Sequence, residues 1–408
     1  MATALIEQGE TAAGRRSLGR TLALDATIPA VLFASAAIVI GLHWDIAWHR
    51  AIGRDTFWSP PHVLEQVAAS VAGLLCGWRV LYTSFWGTDA DRAACVRWWR
   101  MFYGPLGGWV CIWGTIAMIT SAPFDDWWHS AYGLDVEILT PPHVFLLSGM
   151  VSVQLGAMLM MLAEQNRAGA ASGNRRALLF CTSMGLIVLM FATMVFEYAG
   201  VPNFHRSPLF YQITGGLFPL LLLAVSRAGR LRYAATVAAA TYMVVMLGLD
   251  WVLALVPATP MLAPIYNQVT TLVPPGFPIL LIAPALVIDV LAQRLASRNV
   301  WLLAAASGVA FVVVLVTVQW PFSGFLLSLE QPNYLTGTGY WDYTERLGPW
   351  TTAFFDVPGY QWDPAARTMV GSLDVAAMAR ALLVATGIAI VASRLGIAWG
   401  DWMRRVQR

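Results

Sequence analysis

Apolar runs of about twenty residues recur along the chain, near 28–47, 62–83, 101–121, 143–163, 177–197, 209–226, 233–255, 277–297, 301–324 and 376–399, with short polar breaks between them. Wound as a helix, each is long enough to cross a hydrocarbon core of ~30 Å. The pattern predicts an all-α protein, a polytopic transmembrane helical bundle of ten spans built from repeated helical hairpins.

The polar breaks carry a charge code. There is no lysine, and arginines gather before the first run (Arg15, Arg16, Arg20) and after every second one: Arg79, Arg92, Arg97, Arg100; Arg167, Arg175, Arg176; Arg227, Arg230, Arg232; Arg294, Arg298; Arg394, Arg404, Arg405, Arg408. Positive charge concentrates on the cytoplasmic side of membrane proteins. Both termini are therefore expected in the cytoplasm, and the alternate loops, with Arg50, Arg54, Arg206, Arg346 and Arg367, on the periplasmic or outer side of a bacterial cytoplasmic membrane. Arg15-Arg16 precedes a run long enough to span, with no convincing small-residue cleavage site after it, so that run is read as an uncleaved first helix.

Composition agrees with a lipid environment. Hydrophobic residues make up 58% and charged residues 12%, and the mean hydropathy is +0.62, far from soluble domains. The net charge of +2 is spread over loops as topology signals, which argues against a nucleic-acid partner. Cys76, Cys95, Cys111 and Cys181 show no Cys-x-x-Cys spacing and read as packing residues. Met158 and Met161, at the far end of the fourth run from the outer loops, read the same way.

Four segments follow: a tail over 1–27, two hairpins over 28–163, two degenerate hairpins over 164–300, and a final hairpin over 301–408. The outer segment of this last hairpin, about 325–374, is rich in aromatics (Tyr340, Trp341, Tyr343, Trp350, Phe354, Phe355, Tyr360, Trp362). It is read as an interfacial belt, a lid or a docking surface.

The chemistry lies in a motif written twice. Asp45-(3)-His49-(12)-His62 is followed by Asp125-(3)-His129-(13)-His143, the bracketed numbers counting intervening residues, and these sets use four of the six histidines in the chain. Around them Trp48/Trp128, Ala51/Ala131, Gly53/Gly133, Asp55/Asp135 and Pro60-Pro61/Pro141-Pro142 correspond. Residues four apart share a helix face, so each Asp projects with its first His. Proline is well tolerated in a first helical turn, which puts His62 and His143 at the start of the returning helix, where the helix dipole disfavours imidazolium and keeps the ring fit to bind metal.

Two imidazoles and a carboxylate suit copper, zinc, nickel or iron rather than calcium or magnesium. The lack of thiolate ligands argues against a closed structural zinc site. Asp55 and Asp135 are candidates to accept the free N–H of a ligand histidine, or to be ligands themselves; Asp126 adjoins Asp125 and is an alternative to it, the repeat alignment favouring Asp125. The degenerate hairpins keep Glu197 and His205, and then Asp250 before Pro274-Pro275. His43 reads as a packing or interfacial residue.

The two sets resemble the metal-binding motif in the C subunit of the copper membrane monooxygenases, the particulate methane and ammonia monooxygenases. Asp45, His49 and His62 match its first set, and His129 and His143 its second, where Asp125 stands in place of the usual Asn. The resemblance covers about 120 of the 408 residues and rests on spacing, topology and an outward-facing site. It implies an outward-facing copper site and a membrane oxygenase that hydroxylates a small apolar or uncharged substrate with dioxygen, quinol as a candidate electron donor, and other membrane or periplasmic subunits as candidate partners. Two other classes stay open: a copper- or zinc-handling protein of transport, sensing or insertion, and a haem-binding electron carrier.

Overall fold

The computed structural model describes residues 27–53, 58–132, 140–169, 173–261, 269–274, 276–328 and 353–408. In chain order the helices are α1 Thr27–Ala51, α2 Pro60–Phe85, α3 Asp89–Ala93, α4 Leu106–Tyr132, α5 Pro141–Ala168, α6 Gly173–Met194, α7 Phe196–Ala199, α8 Pro208–Ala228, α9 Ala234–Leu253, α10 Ile282–Arg294, α11 Val300–Leu326 and α12 Val375–Met403. Among the described residues nine of these are long and apolar enough to cross a membrane. The protein is an α-helical integral membrane protein.

The eighth apolar run departs from expectation. Over 277–297 the helix forms only from Ile282 to Arg294, 13 residues, which at 1.5 Å per residue spans roughly 20 Å. Pro274 and Pro278 lack the N–H a helix needs. The irregular stretch before α10 is satisfied by side chains instead, with Ile279 N donating to Tyr242 Oη at 2.9 Å and Leu280 N to Gln319 Oε1 at 3.0 Å. Such backbone is tolerated at membrane depth only where protein groups take up its hydrogen bonds.

The chain divides into two compact units, one within residues 1–39, 62–172 and 406–408, the other within 40–61 and 173–405. In the first, α4 lies along α5 at unusually short range because glycines face each other. A Cβ at Gly114 would sit 2.8 Å from Gly149 O, and one at Gly156 2.8 Å from Cys111 N. Close approach through small residues is how helices associate where lipid supplies no hydrophobic drive. Thr115 Oγ1 donates to Ala69 O of α2 at 2.9 Å, and Asn166 Nδ2 to Val406 O at 2.7 Å. Met118, Met150, Met158 and Met161 are buried in this unit. Two short antiparallel ribbons add to the helices: β1 Val96–Trp98 with β2 Phe102–Gly104, and, in the second unit, β3 Tyr360–Asp363 with β4 Thr368–Gly371.

In the second unit α8 and α12 pack along their length and are tied by Arg227 donating to Asp401 at 2.7 Å. Asp289 of α10 accepts from Ala235 N and Thr236 N at the start of α9, at 3.2 and 2.8 Å. The end of α1 packs Ala47, Ala51 and Ile52 against Leu249 and Leu253 of α9. Phe355 N donates to Asn203 O and Arg206 stacks over Phe354 at 3.9 Å, so the last stretch before β3 is pinned to the α7–α8 connection. The rest of the aromatic segment, 329–352, lies outside the described residues.

Candidate metal centre

Asp125 and His129 occupy the last two turns of α4, one turn apart. His129 Nε2 stands 3.3 Å from Asp125 Oδ2. The return begins at Thr140, extended at φ −90° and ψ 158°, with Pro141 and Pro142 as the first helical residues of α5. His143 is thus the third residue of α5, and its Nε2 lies 3.6 Å from Asp125 Oδ1. One carboxylate faces two imidazoles whose ring centroids are 6.4 Å apart.

These separations exceed good N–H···O hydrogen bonds, and Asp125 Oδ1 is buried with no hydrogen-bond partner. Ligand atoms each about 2.1 Å from one tetrahedral ion lie about 3.4 Å from one another. Asp125, His129 and His143 offer donor atoms all within 4.8 Å of one another, so the set fits a single transition-metal ion. The side chains are 17% (His129), 27% (Asp125) and 34% (His143) exposed, which leaves a face open to a further ligand.

The surroundings are aromatic. Phe124 stacks on Trp127 at 6.0 Å, and Trp128 meets Tyr132 at 4.5 Å, jacketing the end of α4. Asp126, a hundred degrees around the helix from Asp125, points out and is exposed. Asp125, and not Asp126, is the acid that lies beside both imidazoles.

In the first set Asp45 and His49 pair in the same way at the end of α1, 3.5 Å apart. His62 is the third residue of α2 behind Pro60-Pro61, the position His143 holds in α5. Asp55 and Asp135 lie outside the described residues, as does the side chain of Glu197.

The remaining candidates lie buried away from the Asp125 set. His43 is buried with Nε2 3.0 Å from Thr193 Oγ1. His205 is fully buried, with Nε2 3.1 Å from Ala199 O, Nδ1 2.9 Å from Gln319 Nε2, and its ring 4.7 Å from Phe210. Burial pushes its pKa down to about 4 against the opposing pull of the Ala199 carbonyl, so it stays neutral with the proton on Nε2. Asp250 is 1% exposed, and neither carboxylate oxygen has a hydrogen-bond partner.

Sequence reasoning missed the glycines that set this geometry. Gly107 and Gly114 of α4, and Gly149 and Gly156 of α5, each stand seven residues apart, and they place the two helices so that His129 meets His143. The spacing was readable in both helices. Comparison with protein-family models, with curated proteins and with solved structures gives no match.

Proposed function

We propose that the protein is a copper-dependent membrane oxygenase that hydroxylates a small apolar or uncharged substrate at an outward-facing site. The observation that carries the reading is the convergence of Asp125, His129 and His143 on one point, in a motif that the chain repeats at Asp45, His49 and His62. Copper held by these residues would supply the activation of dioxygen.

The chain's own part is binding and shaping. The Asp125 carboxylate, set between two imidazoles, orients both rings, and Pro141-Pro142 set His143 in the first turn of α5. Three protein ligands leave coordination positions free, as a catalytic site requires. The Phe124, Trp127, Trp128 and Tyr132 cluster gives an apolar approach from the bilayer. In the overall reaction one oxygen atom enters a C–H bond as hydroxyl and the other leaves as water, consuming two electrons and two protons; a quinol is the donor class we assign.

In this reading the arginine-rich loops and both termini face the cytoplasm of a bacterial cell and the metal sets face the periplasm. The eighth apolar run, with α10 at its end, then makes an eighth crossing.

Partial exposure of the trio, up to 34% at His143, favours one second reading, a metal-handling protein that captures copper or zinc from the outer side. Quinol-driven oxygen uptake by purified, copper-loaded protein separates the two. Uptake that depends on a small hydrocarbon or amine, and that disappears in His129→Ala, supports the oxygenase. Stoichiometric copper without uptake across such a panel leaves metal handling, and a Soret band moves the assignment to a haem carrier.

A further inference from the structure

The end of α4 remote from His129 is joined to α2 by the β1–β2 ribbon, paired Arg97 with Tyr103 and Trp98 with Phe102. Its turn residues, Trp99 at φ 47° and Arg100 at φ 67°, both lie in the left-handed region without being glycine. The loop is completed by Met101, between the paired Trp98 and Phe102, and left-handed turn positions ordinarily go to Gly or Asn. The turn instead carries an indole and a guanidinium out of the fold, and Trp99 is 75% exposed.

Arg97 and Arg100 are both exposed on this ribbon. Arg97 Nε donates to Arg100 O at 2.6 Å and its guanidinium lies 5.7 Å from the Tyr103 ring centre. Among the described residues neither Arg97 nor Arg100 is paired with a carboxylate. The acids of the preceding helix are committed elsewhere: Asp89 lies 3.4 Å from Arg92, and Asp91 accepts from Thr88 N and Oγ1 at 3.0 and 2.8 Å.

Beside these charges the surface is aromatic. Trp98 contacts Trp99 and Trp113 at 6.3 Å and Trp109 at 5.8 Å, and Trp113 is half exposed. The ribbon leaves α2 after Phe85 and rejoins a span at Leu106, so it sits at the level where spans end. Indoles and guanidiniums are favoured together at the headgroup layer of a bilayer.

We infer that this ribbon is a binding site for an anionic phospholipid: Arg97 and Arg100 take the headgroup phosphate while Trp98 and Trp99 lie against the glycerol and upper acyl region. A free phosphate would satisfy the arginines and leave the indoles in water. A lipid accounts for both. The site is separate from the Asp-His-His sets and stands whether or not the oxygenase reading does.

The test uses the full chain in neutral detergent, titrated with phosphatidylglycerol or phosphatidylcholine, with bound lipid counted by native mass spectrometry and melting followed in parallel. Wild type is expected to prefer phosphatidylglycerol by roughly tenfold, from two arginines acting at a charged surface. R97Q/R100Q should bring the preference near parity with an unchanged lipid-free melting temperature. W99N/R100G relaxes the turn, so its lipid-free melting temperature should rise while its lipid preference falls. An undiminished preference in R97Q/R100Q overturns the site, and displacement of the lipid by millimolar inorganic phosphate overturns the lipid assignment.

Discussion

The Asp125 carboxylate lies 3.3 Å from His129 Nε2, one helical turn on, and offers its other oxygen to His143 at 3.6 Å. A single side chain thus bridges the two helices of a hairpin through two imidazoles. If its purpose were only to hold the hairpin, a tighter hydrogen bond would serve; the wider spacing leaves room for an ion.

Removing ligands should therefore remove metal. His129→Ala is expected to lower copper affinity by about 100-fold or more, at least the loss seen when the supporting partners of a metal ligand are changed. Asp125→Asn should weaken binding less, and Asp126→Asn, whose side chain points away, should leave it unchanged. Metal content after dialysis against a graded chelator reads all three. Equal loss in the Asp126 and Asp125 variants would count against the assignment of Asp125.

The glycine contacts predict an asymmetry among small substitutions. At Gly114 an added Cβ would meet Gly149 O at 2.8 Å, so Gly114→Leu must push α4 from α5 and carry His129 away from His143. Loss of folded yield, or folded protein without bound copper, is expected. At Gly77 of α2 nothing lies within 4 Å of an added Cβ. Gly77→Ala should be tolerated or stabilise by up to ~1 kcal/mol, from the better helix propensity of alanine. Melting temperature in detergent measures the pair.

His205 gives the fold a pH dependence whose direction follows from its burial. Its pKa falls to about 4 in the folded chain, against about 6.5 when unfolded. The neutral ring is fully stabilising above the unfolded value. Between pH 6.5 and 4 the unfolded chain takes up a proton that the folded one refuses, so stability drops by ~3 kcal/mol across that window and levels off below it. In His205→Gln this part of the decline should vanish while overall stability is lower, because the links to Ala199 and Gln319 are weakened. Melting curves from pH 7 to 4 for the two proteins test it.

Much of this was legible in the chain. Nine described helices follow the apolar runs because lipid demands both length and apolarity. The Asp-His pairs follow from helical period, and the position of His143 from Pro141-Pro142. The shortness of α10 was hidden because hydropathy is blind to hydrogen bonding. Pro278 sits in a run apolar enough to span, yet cannot donate to a helix. The β1–β2 ribbon was hidden because its turn, Trp99-Arg100-Met101, contains no glycine, and its strands are three residues each. Glycines in α4 and α5 carry no hydrophobic signal, so the apolar pattern passes over the contacts that bring the candidate ligands His129 and His143 together.

Asp250 is where stability and any function of the degenerate hairpin should separate. Its carboxyl is 1% exposed with no hydrogen-bond partner at either oxygen, and a polar group so placed is destabilising. The nearby Arg50 has partners of its own, Pro274 O at 3.5 Å and the Phe196 ring at 4.9 Å, so removing the acid does not strand it. Asp250→Leu, close in volume and apolar, should raise stability by about 1–3 kcal/mol, seen as a higher melting temperature in detergent. A fall would mean that the carboxyl holds a partner in the folded protein, and metal content and oxygen uptake in the same variant would show whether that partner belongs to the chemistry.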